Sequence, residues 1–255
     1  MTFLGYERPD GTIGCRNYVL VIPGGLVATK ICDFVEGTKT LIVPSDTYSD
    51  HTARDRETIG RTFIGLGKNP NVASVIVIGS SSAGEHSEFV FTRVAEEIGK
   101  TGKRVEVLDV DKEGGTLQSI VQGIRVARDM VHQASRLTRR SFGIDHLTVA
   151  VKCGSSDTMS GLAGNPVIGN LFDRIVTGGG TAIFGENTEI VGAEQILSRR
   201  GVNEEVSRRI IDVAAELEAR ALATGEDIRT MNPTPGNIEG GISTFGRSPA
   251  CGPSS

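Results

Sequence analysis

Short, β-branched apolar runs alternate along this chain with longer stretches in which apolar residues return every three or four positions. These are the periods of buried strands and amphipathic helices. Tyr18-Val19-Leu20-Val21-Ile22-Pro23 predicts a strand, with a helix following over about residues 27–36. Thr40-Leu41-Ile42-Val43-Pro44 predicts a second strand and residues 54–66 a second helix. The run Val72-Ala73-Ser74-Val75-Ile76-Val77-Ile78-Gly79 is nearly continuous in apolar character and ends at glycine, as a strand covered on both faces does. A helix over 88–100, a strand over 104–110 and a helix over 117–139 complete a βα repeat. Such a repeat implies a parallel sheet with right-handed crossovers.

The pattern restarts near Asp145. A strand over 146–152 leads into a Gly-, Ser- and Asn-rich stretch, 153–169, and then a helix near 167–176. A strand at Thr181-Ala182-Ile183-Phe184, a helix near 193–200 and a charged helix over 204–224 follow. The last of these reads as an amphipathic helix with a solvated face. Beyond it, Asn232-Pro233-Thr234-Pro235-Gly236-Asn237 and Gly240-Gly241 predict turns. The expected architecture is α/β: a Rossmann-like parallel-sheet domain over 1–144, then a second α/β domain over 145–255.

Composition narrows the function classes. Net charge is −4 and there is no basic tract interleaved with aromatics, so a nucleic-acid partner is not expected. No apolar run is long enough to span a bilayer, and the opening residues lack the basic-then-apolar form of a signal peptide. The expected location is therefore cytoplasmic, with no membrane partner. Cys15, Cys32, Cys153 and Cys251 show no CxxC or zinc-ligand spacing and read as thiols of a reducing compartment. His51, His86, His132 and His146 have no HxxxH or HxH spacing; only His51 and His86 fall in turn-like segments after strands.

Three segments carry more polar residues than a fold requires. Lys152-Cys153-Gly154-Ser155-Ser156-Asp157-Thr158-Met159-Ser160-Gly161, continuing to Asn165-Pro166, follows an apolar strand. That places it at the carboxyl edge of a sheet, where open α/β proteins bind ligands. Its hydroxyls, amides and single carboxylate suit an anionic, polyhydroxylated substrate; the plainer reading is a βα turn whose Ser and Asp cap the next helix. Gly185-Glu186-Asn187-Thr188-Glu189-Ile190-Val191-Gly192-Ala193-Glu194 puts three carboxylates after the next strand. They could ligate a divalent cation or supply a general base, or simply favour a helix N-terminus, a role Glu194 fits best and Glu186 least. In the third segment, 232–241, Asn237 and Glu239 could reach a ligand, though a surface loop is the simpler reading. Pro23-Gly24-Gly25 follows a strand but lacks the GxGxxG spacing of a dinucleotide site.

These segments resemble the altronate dehydratase/galactarate dehydratase family. Gly5-Tyr6-Glu7-Arg8-Pro9-Asp10-Gly11 with Gly14-Cys15-Arg16-Asn17-Tyr18 is similar to its GYxRxDGRxGxRN opening, and Asn69-Pro70-Asn71-Val72 to its NPNV. The stretch from Lys152 to Asp157, with Ser160-Gly161, Asn165-Pro166 and Gly169, resembles KCGGSD…SG…NPxxG. The run from Glu186 to Glu194 resembles ETxExxGxE, and Asn232-Pro233-Thr234-Pro235-Gly236-Asn237…Gly240-Gly241 resembles NPxxGNxxGG. The resemblance implies a lyase that removes a proton beside a carboxylate and expels a β-substituent, helped by a divalent metal, Fe²⁺ or Mn²⁺. It implies catalytic roles for Lys152, Cys153, Ser156, Asp157, Glu186 and Glu189, and substrate binding by Ser155, Ser160, Asn165, Asn232 and Asn237. Glu186, Glu189 and Glu194 are then the expected metal ligands.

The chain departs from the typical dehydratase pattern at three places. Gly24-Gly25-Leu26 stands where a Cys is usual, residues 44–49 where HxxGCG is usual, and residues 79–85 where GLGCE is usual. Those missing soft ligands make the chain similar to the large subunit of (2R)-sulfolactate sulfo-lyase. The pattern also carries no SAF domain, so a separate SAF-domain small subunit is an expected partner, in a homo- or hetero-oligomer. The family match fails at Phe245, which reads as a C-terminal truncation. The leading expectation is dehydration of a hydroxy or sugar acid such as altronate or galactarate. Sulfolactate C–S cleavage is the alternative, and a non-catalytic acid-binding relative a third reading.

Overall fold

The computed structural model describes residues 1–41, 52–81, 91–154, 157–228 and 235–239, with Arg56 and Glu189 described through their backbones alone. The chain divides into two compact units, Met1–His146 and Leu147–Ser255. Both are α/β, as the pattern of apolar runs predicts.

The first unit is built on a four-stranded parallel sheet. Its strands are β3 (Tyr18–Ile22), β4 (Thr38–Thr40), β5 (Val72–Gly79) and β6 (Arg104–Asp109), in the order β4-β3-β5-β6. Helices α1 (Leu26–Phe34), α2 (Ala53–Lys68) and α3 (Phe91–Gly99) make the crossovers, and α4 (Thr116–Ser135) follows β6. Strand side chains point to opposite faces in turn, and the core is sorted accordingly. Val19, Val21, Ile76 and Ile78 pack with Ala28, Ile31, Ala127 and Met130 of α1 and α4. Leu20, Ile22, Val75 and Val77 pack with Phe63, Val94, Ala95 and Ile98 of α2 and α3. A strand apolar at every position is required because both its faces are covered.

Several boundaries differ from expectation. β4 occupies Thr38–Thr40 instead of starting at Thr40; residues 42–44 lie outside the described residues. α2 begins one residue early because Thr52 forms a capping box: its hydroxyl accepts the Asp55 N–H at 3.3 Å, and Asp55 accepts the Thr52 N–H at 3.1 Å. α4 stops at Ser135, short of the expected 139, because the chain then re-enters a sheet. That sheet is antiparallel and was not anticipated. Its strands are β1 (Thr2–Glu7), β2 (Ile13–Gly14) and β7 (Arg140–Gly143), in the order β2-β1-β7.

The second unit pairs β8 (Thr148–Val151) with β9 (Thr181–Phe184) in parallel, in register from Thr148↔Thr181 to Val151↔Phe184. Between them run a π-helical turn, Ser160–Gly164, and α5 (Asn165–Thr177), which has a proline in its first turn. After β9 come a 3₁₀ turn, Asn187–Ile190, α6 (Glu194–Ser198) and α7 (Glu204–Leu222). The Asn203 carboxamide caps α7 by accepting the Val206 N–H at 2.9 Å, and Glu204 and Glu205 complement its dipole. The expected 232–241 loop contains a helical turn, α8 (Pro235–Glu239). Among the described residues no helix is long and apolar enough to cross a membrane.

Candidate active site at the β8–β9 edge

Parallel pairing brings two polar segments to one edge. Val151 and Phe184 are the last paired residues, and the Gly185 N–H donates to the Val151 carbonyl at 3.1 Å, one step beyond the ladder. The next side chains in each strand, Lys152 and Glu186, therefore emerge side by side. The Lys152 Nζ lies 3.1 Å from Glu186 Oε1. Lys152 is largely exposed, whereas one third of the Glu186 side chain remains accessible.

Glu186 is also the backbone exception of the site. Its φ of 66° and ψ of 79° place it in the left-handed region, and among the described residues it is the one non-glycine residue with positive φ. For an L-residue with a full side chain this conformation costs roughly 1–3 kcal/mol. The conformation turns the chain sharply out of β9 and sets the carboxylate against Lys152.

Around this pair the expected site residues are distributed unevenly. Cys153 follows Lys152 as a half-buried thiol. Ser155 and Ser156 lie outside the described residues. Asp157 and Ser160 bond to each other: Asp157 Oδ1 accepts the Ser160 N–H at 2.7 Å and its hydroxyl at 3.1 Å, while Ser160 Oγ accepts the Asp157 N–H at 3.2 Å. The Ser160 amide, and then its hydroxyl, hold the Asp157 carboxyl below the usual range. This reciprocal arrangement is the capping geometry anticipated as the plainer reading of the segment. Asn165 opens α5 and is exposed. Asn237 sits half-buried in α8, and Asn232 lies outside the described residues.

Of the three glutamates expected to ligate a metal, the side chains of two, Glu186 and Glu194, are described. Glu186 is ion-paired with Lys152, and Glu194, at the start of α6, accepts the N–H of Gly192. Glu189 is in the intervening 3₁₀ turn, with its side chain outside the description. Among the described residues no group of three or more His, Cys, Asp or Glu side chains could hold an ion.

The first unit offers a second polar edge that sequence reasoning passed over. The strand order places a topological switch point between β3 and β5, whose carboxyl ends carry Gly24-Gly25 and Ser80-Ser81. Ser80 Oγ donates to Asp111 Oδ2 at 2.7 Å, and the Ser81 N–H donates to Asp109 Oδ1 at 3.2 Å. The signal for this cluster was a carboxylate, Asp109, at the carboxyl end of β6, with Asp111 two residues on. His51 and His86 lie outside the described residues.

Comparison with known proteins places the chain in a family. The second domain of D-galactarate dehydratase/altronate hydrolase matches residues 5–135, and the C-terminal domain of D-galactarate/altronate dehydratase matches residues 144–249. The chain belongs to the galactarate/altronate dehydratase family. Within it, the chain is 36% identical to the (2R)-sulfolactate sulfo-lyase subunit beta of Chromohalobacter salexigens, over 96% of this chain and 62% of that protein. It is 27% identical to the altronate dehydratase of Bacillus subtilis, over 96% of this chain and 50% of that one. It is 28% identical to the galactarate dehydratase (L-threo-forming) of Escherichia coli, over 94% of this chain and 49% of that one. The chain thus spans about half to three fifths of the length of these relatives, which by their names are lyases.

Proposed function

We propose that this member of the galactarate/altronate dehydratase family is the part of a lyase that carries the reacting groups. It acts on a hydroxylated carboxylic acid at the β8–β9 edge. The observation that carries the reading is the Lys152–Glu186 pair, set 3.1 Å apart by parallel strand pairing, with Glu186 in a strained left-handed turn. Strain of this kind persists where the surrounding structure over-determines a geometry, and it concentrates at functional sites.

In this reading Glu186 is the base. Its carboxylate removes the proton on the carbon next to the substrate carboxyl, and the electron pair left behind forms the new double bond. The β-substituent departs with its own bonding pair, as water once protonated or as sulfite. The resulting enol then tautomerises to a 2-keto acid. Lys152 has two roles in sequence. It holds the Glu186 carboxylate in place before substrate arrives, at 3.1 Å, and it then offers its ammonium to the incoming carboxylate, which frees Glu186 to accept the proton. Asp157 and Ser160 fix the turn into α5, so they position the loop carrying Lys152 and Cys153. A divalent metal such as Fe²⁺ or Mn²⁺ would help stabilise the charge that develops on the substrate carboxylate, although among the described residues no three His, Cys, Asp or Glu side chains gather to hold one.

Dehydration of altronate or galactarate and C–S cleavage of sulfolactate share this proton abstraction and differ in the leaving group. The 36% identity to a sulfo-lyase subunit gives the second outcome equal standing with the first. That relative is named as a subunit, which supports a partner chain, here proposed as a SAF-domain small subunit. The test is turnover of all three acids by the chain with its partner, with and without Fe²⁺ or Mn²⁺. Release of a 2-keto acid without sulfite assigns a dehydratase, and sulfite release a sulfo-lyase. No keto acid from any of the three overturns the lyase reading.

A further inference from the structure

Helix α7 is the element whose charged face the sequence assigns to solvent, yet it walls a cavity of about 690 Å³ in the second unit. The cavity is within the 300–1,000 Å³ range of small-molecule sites. Across from α7 it is bounded by Phe184, the last residue of β9, and Asn187, the first of the 3₁₀ turn. These two residues flank Gly185-Glu186, so the cavity begins at the turn that holds the proposed base. Glu205, Arg208, Arg209 and Asp212 supply the charged groups of the α7 wall.

Arg200 is paired with Asp173 and Arg220 with Glu216. Arg208 and Arg209 make no hydrogen bond or ion pair among the described residues, although Asp212 is one turn further along the same helix. Consecutive helical residues diverge by roughly 100° around the axis, so both reach one cavity only because its wall wraps a broad face of α7. Two unpaired, planar, fivefold donors at one wall suit bidentate binding of a carboxylate or sulfonate. Phe184 supplies an apolar surface for carbon-bound hydrogens, while Asn187 and Asp212 offer acceptors for hydroxyl groups.

We propose that Arg208 and Arg209 form an anion-recognition subsite for the second acidic group of a dianionic hydroxy acid, the group remote from the carbon that loses its proton. The inference rests on the placement of the reaction at Glu186. It selects within the family's chemistry: a dicarboxylate or a sulfonate-carboxylate uses both ends of the site, whereas a monocarboxylic sugar acid leaves the arginines empty.

The test compares the full chain with its Arg208→Gln/Arg209→Gln variant, together with the partner subunit, on galactarate, sulfolactate and altronate. Circular dichroism and thermal melting verify that the exposed substitutions leave the fold intact, and Arg208→Lys/Arg209→Lys serves as the conservative control. Direct binding by calorimetry accompanies turnover. The expected result is that galactarate or sulfolactate, whichever is the substrate, loses about ten- to a hundredfold in KM and Kd with kcat little changed. The lysine variant recovers part of that loss, and altronate is bound no differently by parent and variant. Equal Kd and KM for the dianions in parent and glutamine variant overturns the subsite while leaving the lyase reading intact. Arginine-dependent binding without turnover overturns the lyase reading and retains the subsite. No binding of any of the three acids overturns both.

Discussion

The Arg8 Nε donates to the Pro70 carbonyl at 2.6 Å, joining two motifs 62 positions apart in the chain. The same guanidinium donates to Asn17 Oδ1 and to the Arg16 carbonyl, both at 2.7 Å. Asn17 in turn donates to the Ala134 carbonyl at the end of α4, at 2.7 Å. The GYxRxDG…GxRN opening and the Asn69-Pro70-Asn71 turn thus form one clasp over the amino edge of the parallel sheet. Arg8 is buried, and desolvation lowers its pKa while neighbouring Tyr6 and Asp10 oppose the shift. Replacing Arg8 by Leu leaves two carbonyls and an amide without their donor. We expect a loss of about 2–4 kcal/mol in chemical denaturation. A change below about 1 kcal/mol would mean that water replaces the guanidinium freely.

Gly14 belongs to the same clasp for a steric reason. A Cβ at this position would sit 1.9 Å from the Pro70 carbonyl oxygen, a backbone atom that cannot rotate away. Gly14→Ala should therefore cost at least about 2 kcal/mol, more than its single methyl suggests. It should also abolish part of the protection of the Tyr18 amide, which donates to Asn71 O at 3.0 Å, in hydrogen exchange. Unchanged Tyr18 protection would show that the turn shifts aside at little cost.

Lys103 gives the fold a pH signature. Its ammonium is buried and donates to the Gly67 and Asn69 carbonyls, at 3.0 and 2.7 Å, at the end of α2. Burial first, then the charge of Arg8, lowers its pKa from 10.5 to about 8. The folded state therefore binds fewer protons than the unfolded state between those values, and stability contributed by this site rises with pH across that window. The penalty of a buried charge is fully present below about pH 8 and is relieved as pH climbs towards 10.5. The gain is on the order of 2–3 kcal/mol. Lys103→Met should flatten the parent's slope between pH 8 and 10; identical slopes would place the titration elsewhere.

The parallel sheet was legible in the sequence because its signal is local. The run from Val72 to Gly79 is apolar at every position but Ser74, and the structure makes it a strand of that length. Likewise Thr181-Ala182-Ile183-Phe184 is the observed β9. The antiparallel sheet was not legible, since β1 pairs with β7 across most of the first unit, from Thr2↔Gly143 to Gly5↔Arg140. No periodicity within either short strand announces a partner so far away. At the site, the motifs containing Lys152 and Glu186 were readable as polar segments after strands, but their adjacency was not. It follows from the register of β8 on β9, a property of the pairing rather than of either segment. Arg208 and Arg209 were hidden because a charged amphipathic face looks the same whether it meets water or a cavity.

Glu186→Gly separates function from stability. Glycine adopts the left-handed backbone without penalty, and the lost ion pair involves an exposed lysine, worth at most about 1 kcal/mol. The variant should be as stable as the parent or up to about 1 kcal/mol more stable, while losing turnover. A drop of more than about 1 kcal/mol in urea denaturation would identify the carboxylate as a structural prop.

The most direct test of the account is α-proton exchange, followed by ¹H NMR in D₂O for galactarate, altronate and sulfolactate with the full chain, the proposed small subunit and Fe²⁺ or Mn²⁺. The parent should wash out the proton beside the substrate carboxyl, and Glu186→Gln should slow that loss by at least about a hundredfold, the scale of a general base. Equal rates in parent and variant, or no exchange in the parent with any of the three acids, would contradict the assignment of Glu186 as the base.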